Sequence, residues 1–233
     1  HICQSWRATT IGTRKLWSSV IVDWHMSASL LTLFMNRSDG SNLSIKIENP
    51  VASNLQKSIS TITRHSSQVT SLELEIGFYE DQGEIKKSLT NVTFQSLETL
   101  VVHLEDWIYT DYPDENTADV RRVSLLERLF DVLESSQKKR LHLHIYGGPK
   151  TVSTAFAGHA ICERLTALNL HINMRTEGGG VRRSEAAQWS LIYAKHSSFP
   201  ALKQLHYKGF LPFLGSIKVP LLVDATYQWN PPW

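Results

Sequence analysis

Five of the chain's ten histidines stand where a row of imidazoles could do chemistry. His103, His144 and His171 each take the second polar place in a phrase that alternates apolar and polar residues. His142 and His206 take the first polar place in theirs. If the phrases are neighbouring strands, about 4.8 Å apart, the three second-place imidazoles stack as a ladder. Such a ladder could ligate a metal through neutral ring nitrogens. It could be a pH-sensitive surface, because close imidazoles resist simultaneous protonation. It could also be a solvated polar row that meets a partner by hydrogen bonds. No cysteine or carboxylate stands beside it to complete a metal set, and a flat face is a poor tetrahedral template. No metal and no cofactor is therefore expected.

Other chemistry-bearing patterns fail. There is no Gly-x-Ser-x-Gly elbow and no His-Glu-x-x-His pair. His103-Leu-Glu105 has the start of a deaminase signature without its Pro-Cys-x-x-Cys. The loops Tyr146-Gly-Gly-Pro149 and Glu177-Gly-Gly-Gly180 lack the Lys-Ser or Lys-Thr of a phosphate-binding loop. Cys162 lies in a helical apolar stripe, the place of a buried small hydrophobe. The chain is not expected to be an enzyme.

The residues that would position the histidines form a repeat. The phrases are Leu43-Ser-Ile45-Lys-Ile47, Leu72-Glu-Leu74-Glu-Ile76, Leu100-Val-Val102-His-Leu104, Leu141-His-Leu143-His-Ile145, Leu168-Asn-Leu170-His-Ile172, Leu205-His-Tyr207 and, weakly, Ala225-Thr-Tyr227. Their leading residues are 29, 28, 41, 27, 37 and 20 residues apart, near the period of roughly 20–29 residues of leucine-rich repeats. Val69, Leu97, Leu165, Leu202 and Leu222 each precede a phrase by three places. Helical spacing of apolar residues lies between phrases, over 51–65, 120–133, 152–165 and 184–194. The expected fold is α/β: an irregular leucine-rich-repeat solenoid of about seven parallel strands alternating with helices. Alternation turns the apolar residues inward and leaves the polar ones on an open face. That face is expected to offer Glu73, Glu75, His103, His142, His144, Asn169, His171 and His206 to a partner. The acidic and aromatic stretch at 105–115 suits recognition of a basic peptide or is a surface insertion.

The bulk numbers agree with a binding protein. The 233 residues are 42% hydrophobic and 20% charged, an ordinary globular balance. No apolar run is long enough to span a bilayer, so no membrane is expected. A net charge of +2 gives no reason to expect nucleic acid. Two distant cysteines, Cys3 and Cys162, fit a reducing compartment, hence the cytoplasm or nucleus. The sequons at Asn36, Asn42 and Asn91 keep a secreted repeat receptor as a lesser alternative.

Residues 1–22 do not fit the repeat. Ile2-Cys3-x-x-Trp6-Arg7, a short gap, then Leu16-Trp17-Ser18-Ser19-Val20 resembles the second half of an F-box. The form is that of the large basidiomycete fungal F-box families with degenerate leucine-rich repeats. The stretch 27–45 and the openings Phe94-Gln-Ser-Leu97 and Phe199-Pro-Ala-Leu202 are similar to that family as well. The resemblance implies a helical F-box remnant over 1–22 followed by a solenoid over 23–233. It implies a substrate receptor of a Skp–cullin–F-box ubiquitin ligase. Ile2, Cys3, Trp6, Leu16 and Trp17 would be what is left of the surface that docks a Skp-type adaptor, and the repeats would hold a protein substrate. The first half of an F-box, with its Leu-Pro, is expected upstream of His1. The other reading of the same residues is a helix that caps the sheet of a truncated repeat scaffold with no ligase link.

Overall fold

Alternation of apolar and polar residues becomes strand wherever one face can be buried. A computed structural model of the chain describes residues 3–23, 25–38, 40–48, 52–77, 82–104, 115–147, 149–172, 197–209 and 217–229. Its strands are β1 (Ser19–Val22), β2 (Leu43–Glu48), β3 (Val69–Ile76), β4 (Thr99–Leu104), β5 (Leu141–Gly147), β6 (Leu165–Ile172), β7 (Ser197–Ser198), β8 (Gln204–Gly209), β9 (Ile217–Lys218) and β10 (Asp224–Trp229). Eight of them form one parallel sheet in the order β1-β2-β3-β4-β5-β6-β8-β10, and β7 pairs with β9 apart from it. The chain is thus α/β, with strands laid down in sequence order. The weak seventh phrase is a full strand, paired along its length with β8. The sheet also begins inside the 1–22 segment, because Val20 and Val22 turn inward and Ser19–Val22 pairs with β2.

Helices α1 (Gln4–Gly12), α2 (Ala28–Arg37), α3 (Ala52–Thr63), α4 (Gln82–Ser88), α5 (Glu115–Glu134), α6 (Pro149–Phe156) and α7 (Ile161–Arg164) separate the strands. Neighbours α2 to α6 pack on one another in turn. Leu31 and Met35 of α2, Ile59 and Ile62 of α3, and Leu126, Leu129, Phe130 and Leu133 of α5 are buried with the inward strand residues. Each such side chain contributes roughly 1.5–3 kcal/mol by leaving water. Val120, where that helical spacing begins, is exposed. The helix expected over 152–165 is two helices. Gly158 at φ 78° turns the chain after α6, and Leu165 already belongs to β6. The helix expected over 184–194 lies outside the described residues.

Two devices recur. Strands β3 and β6 each carry one extra residue near the start, Thr70 and Thr166, where the register to the preceding strand shifts. The Thr70 hydroxyl donates to the Leu43 carbonyl at 3.3 Å. The Thr166 hydroxyl donates to the Leu141 carbonyl and accepts from the Leu141 N–H, both at 3.1 Å. Each side chain thus bridges the ladder that the bulge interrupts. Arginines do the second job. Arg128 reaches the Leu89 carbonyl just beyond α4 at 2.8 and 3.0 Å. Arg164 binds the carbonyls of Glu134, Ser136 and Lys138 around the end of α5. Both satisfy carbonyls that a helix end leaves orphaned. Among the described residues, no helix is long and apolar enough to cross a membrane.

Candidate functional site

The outward residues of the sheet fall into rows set by the strand register. One row runs Lys46, Glu73, Val101, His144, Asn169, His206, Thr226. The next runs Glu48, Glu75, His103, Tyr146, His171, Lys208, Gln228. The expected ladder of three histidines is therefore corrected. His103 and His171 share a row, but His144 lies one row away and Tyr146 takes its place. The slip is of two residues, which keeps every side chain on its expected face and so leaves no trace in the alternation. Its source is Gly147. The strand continues inward to this glycine, opposite Ile172 in the register, where a side-chain-free residue reads as the start of a loop.

Tyr146 lies between the two histidines. Its ring stacks on His103 with centroids 4.2 Å apart and 9° between planes. It meets His171 edge-on at 5.3 Å. On the other side His103 Nε2 is 3.3 Å from Glu73 Oε1. The Lys46 ammonium sits among three carboxylates, at 2.6 Å from Glu75, 2.9 Å from Glu48 and 3.4 Å from Glu73. Hydrogen bonds to Glu75 and Glu48 hold its pKa well above the ordinary lysine value. At the other end the histidines move the opposite way. Burial lowers His144, with help from nearby His142, His103 and His206. Burial also lowers His171, followed by the charge of Lys208. The face is thus polarised: carboxylates matched by Lys46 over β2 and β3, and imidazoles with Lys208 over β5 to β8.

The N-terminal residues separate into two kinds. Trp17 is part of the fold. Its indole N–H donates to the Thr10 carbonyl at 3.0 Å, its ring meets Phe34 edge-on at 5.2 Å, and Arg37 lies 4.6 Å over it. Trp6 and Leu16 face solvent, 73% and 61% exposed, and Cys3 is exposed too. Ile2 lies outside the described residues.

No protein-family model matches this chain, and no curated protein and no solved structure matches it either.

Among the described residues, two groups bring a histidine near two carboxylates, with ligand atoms within 4.8 Å of one another: Glu73, Glu75 and His103, and Asp131, Glu134 and His159. The sequence showed no carboxylate beside the histidines, because β3 and β4 are joined only in space. In the first group the Lys46 ammonium already bonds both carboxylates. In the second, His159 Nδ1 accepts the Ile161 N–H at 3.1 Å. The neutral ring therefore carries its proton on Nε2, which faces Asp131 at 3.4 Å. Arg128 also pairs with Asp131 at 3.2 Å. Both arrangements work as hydrogen-bonded ion clusters with protein cations in place. Cys162 is buried and its thiol is pushed up to about 12 by that burial, so it is a packing residue and no nucleophile. The aromatic stretch at 105–114, the glycines at 178–180 and the arginines at 182–183 lie outside the described residues.

Sequence reading missed Tyr146 and gave Lys46 no role. The signal for both was register, carried by the three-residue lead-ins. Val69 and Leu165 begin bulged strands. Leu97, Leu202 and Leu222 close turns whose N–H groups bond back to Phe94, Phe199 and Val219. One spacing thus serves two structures, and only the Val-Thr and Leu-Thr pairs tell them apart.

Proposed function

We propose that the chain is a non-catalytic protein-interaction module with a leucine-rich-repeat-like solenoid, acting as the substrate receptor of a Skp–cullin–F-box ubiquitin ligase in the cytoplasm or nucleus. The observation that carries the interaction reading is the contrast between the two faces of the sheet. The inward face is aliphatic in almost every row. The outward face is half-exposed and changes chemistry from strand to strand. A face that only needed solvation has no use for stacked rings and matched ion clusters, whereas recognition by side chains on a rigid scaffold does.

The ligase link rests on the resemblance of residues 2–20 to half an F-box, and on Trp6 and Leu16 standing exposed ahead of β1. Large apolar groups held out of the core are the usual anchors of an interface. The test is co-purification of the protein, expressed from its complete coding sequence, with a Skp-type adaptor. Trp6→Ala with Leu16→Ala should lower recovered adaptor at least about tenfold and leave the thermal melt in place. A complete protein that never retains the adaptor would sink the ligase link and leave a plain repeat scaffold.

A further inference from the structure

The β5 to β8 end of the open face is built of groups that donate hydrogen bonds or gain positive charge. His144, Asn169 and His206 occupy one row, and Tyr146, His171 and Lys208 the next. With strands about 4.8 Å apart and alternate residues about 6.6 Å apart, the six span roughly 10 Å by 7 Å. No carboxylate is among them. Two negative side chains from one edge of an extended peptide are spaced by the same 6.6 Å or so. At the opposite end Glu48, Glu73 and Glu75 outnumber Lys46 and repel an anion, which fixes where on the face an acidic segment can lie.

We infer that this end of the sheet docks an acidic, extended segment of a partner protein, with carboxylates over His144, His171, His206 and Lys208, and that the grip tightens as the histidines take up protons. The inference rests on reading the face as a protein-binding surface and not on the adaptor link.

The groups that face these imidazoles set the sign. His144 has His142 and Tyr146 on its own strand, Val101, His103 and then Glu73 on one side, and Asn169 and His206 on the other. His171 has Tyr146 and then His103 on one side and Lys208 on the other. Asp224 is the nearest acid on β10, one row beyond His206. Burial is the first reason that protonation is resisted in the free protein, and repulsion by the cationic neighbours adds to it. A bound carboxylate relieves that repulsion, so anion and proton binding favour each other. A nucleic acid is a poorer fit, because a continuous polyphosphate must also cross the glutamates of β2 and β3.

The test is fluorescence anisotropy at low salt with labelled hexaglutamate, hexaglutamine and hexalysine peptides and a hexathymidylate strand. Hexaglutamate should bind at least about tenfold tighter near pH 5.5 than near pH 7.5, where ordinary imidazole loses its proton. His144→Gln, His171→Gln and His206→Gln together should abolish that difference, and Lys208→Gln should weaken binding at both pH values. The pair Lys139→Gln and Arg140→Gln, both exposed and ahead of β5, outside the six-residue patch, should change nothing. Binding that ignores pH or the triple variant, tighter binding of hexathymidylate, or no binding of hexaglutamate overturns the inference. Hexalysine that binds and is lost with Glu73→Gln and Glu75→Gln also overturns it, but leaves the face a protein-binding surface. Adaptor recovery is untouched in every arm.

Discussion

Strands β3 and β6 are the same object carrying different chemistry. Val69-Thr-Ser-Leu-Glu-Leu-Glu-Ile76 and Leu165-Thr-Ala-Leu-Asn-Leu-His-Ile172 have the same eight-residue burial pattern. Both are bulged at the second residue, where a threonine bridges to the preceding strand. Yet at equivalent outward places one offers Glu73 and Glu75 and the other Asn169 and His171. The inward half of each strand is fixed by packing, which tolerates little change of volume. The outward half answers to water or a partner and can drift. A scaffold of this kind lets recognition change without refolding.

If the two strands are equivalent inside, they should fail equally. Leu72→Ala and Leu168→Ala each remove a buried side chain at the same place in the two strands. Each should cost about 2–5 kcal/mol in chemical denaturation, from lost transfer energy and the cavity left behind. The comparison breaks if one variant is unfolded while the other melts near the parent, since then only one strand would be structural.

The bulges should separate the strands more finely. The Leu43 N–H has the Gln68 carbonyl at 2.8 Å in addition to what Thr70 gives its carbonyl. The Leu141 N–H depends on the Thr166 hydroxyl. Thr166→Val therefore strands a backbone donor and should cost about 1–3 kcal/mol, whereas Thr70→Val should cost about 1 kcal/mol or less. Hydrogen exchange at Leu141, faster in Thr166→Val than in the parent, would report the same loss locally.

Those threonines also mark where sequence reading stopped. Period-two alternation revealed which side chains face inward, because burying the wrong set is costly. It could not reveal register, since a slip of two residues preserves every face. Hence His103 and His171 were placed correctly and His144 was not, and Tyr146 went unnoticed between them. Gly147 hid the end of β5 because an inward glycine carries no hydrophobic signal. The ion cluster on Lys46 depends on two strands, β2 and β3, meeting at one register, and no local pattern encodes that. Trp17 and Trp6 are equally bulky in sequence. Only the partners of Trp17, Thr10, Phe34 and Arg37, show which of the two is anchored.

The two ends of the open face should answer charge removal in opposite ways. Lys46→Met leaves Glu48, Glu73 and Glu75 facing one another and should cost about 1 kcal/mol, less in high salt. Lys208 has no carboxylate partner among the described ion pairs, and its charge opposes protonation of His171. Lys208→Met should leave the denaturation midpoint at neutral pH within error of the parent. A loss as large as that of Lys46→Met would mean that the β8 end is also held by ion pairs, and the polarity drawn between β3 and β6 would fall.

The smallest effect is the pH dependence of stability, and it belongs to the β5–β6 end alone. His144 and His171 are held below the ordinary imidazole value, first by burial and then by cationic neighbours. The unfolded chain therefore binds more protons than the folded one once pH drops below about 6.5. The stability of the free protein should be full above that value and decline as pH falls through it. His144→Gln with His171→Gln should flatten the decline, and Glu73→Gln should not, since the Glu73 charge favours protonation of His144 and its loss works in the other direction. Urea midpoints of the three proteins near pH 7.5 and near pH 5.5 decide the matter. A midpoint that holds or rises on acidification in the parent would mean that the imidazoles are better solvated or better paired than their positions on β5 and β6 imply. An acidic segment bound over them should reverse the sign, because the charge that repels its neighbours in the free protein then has a partner.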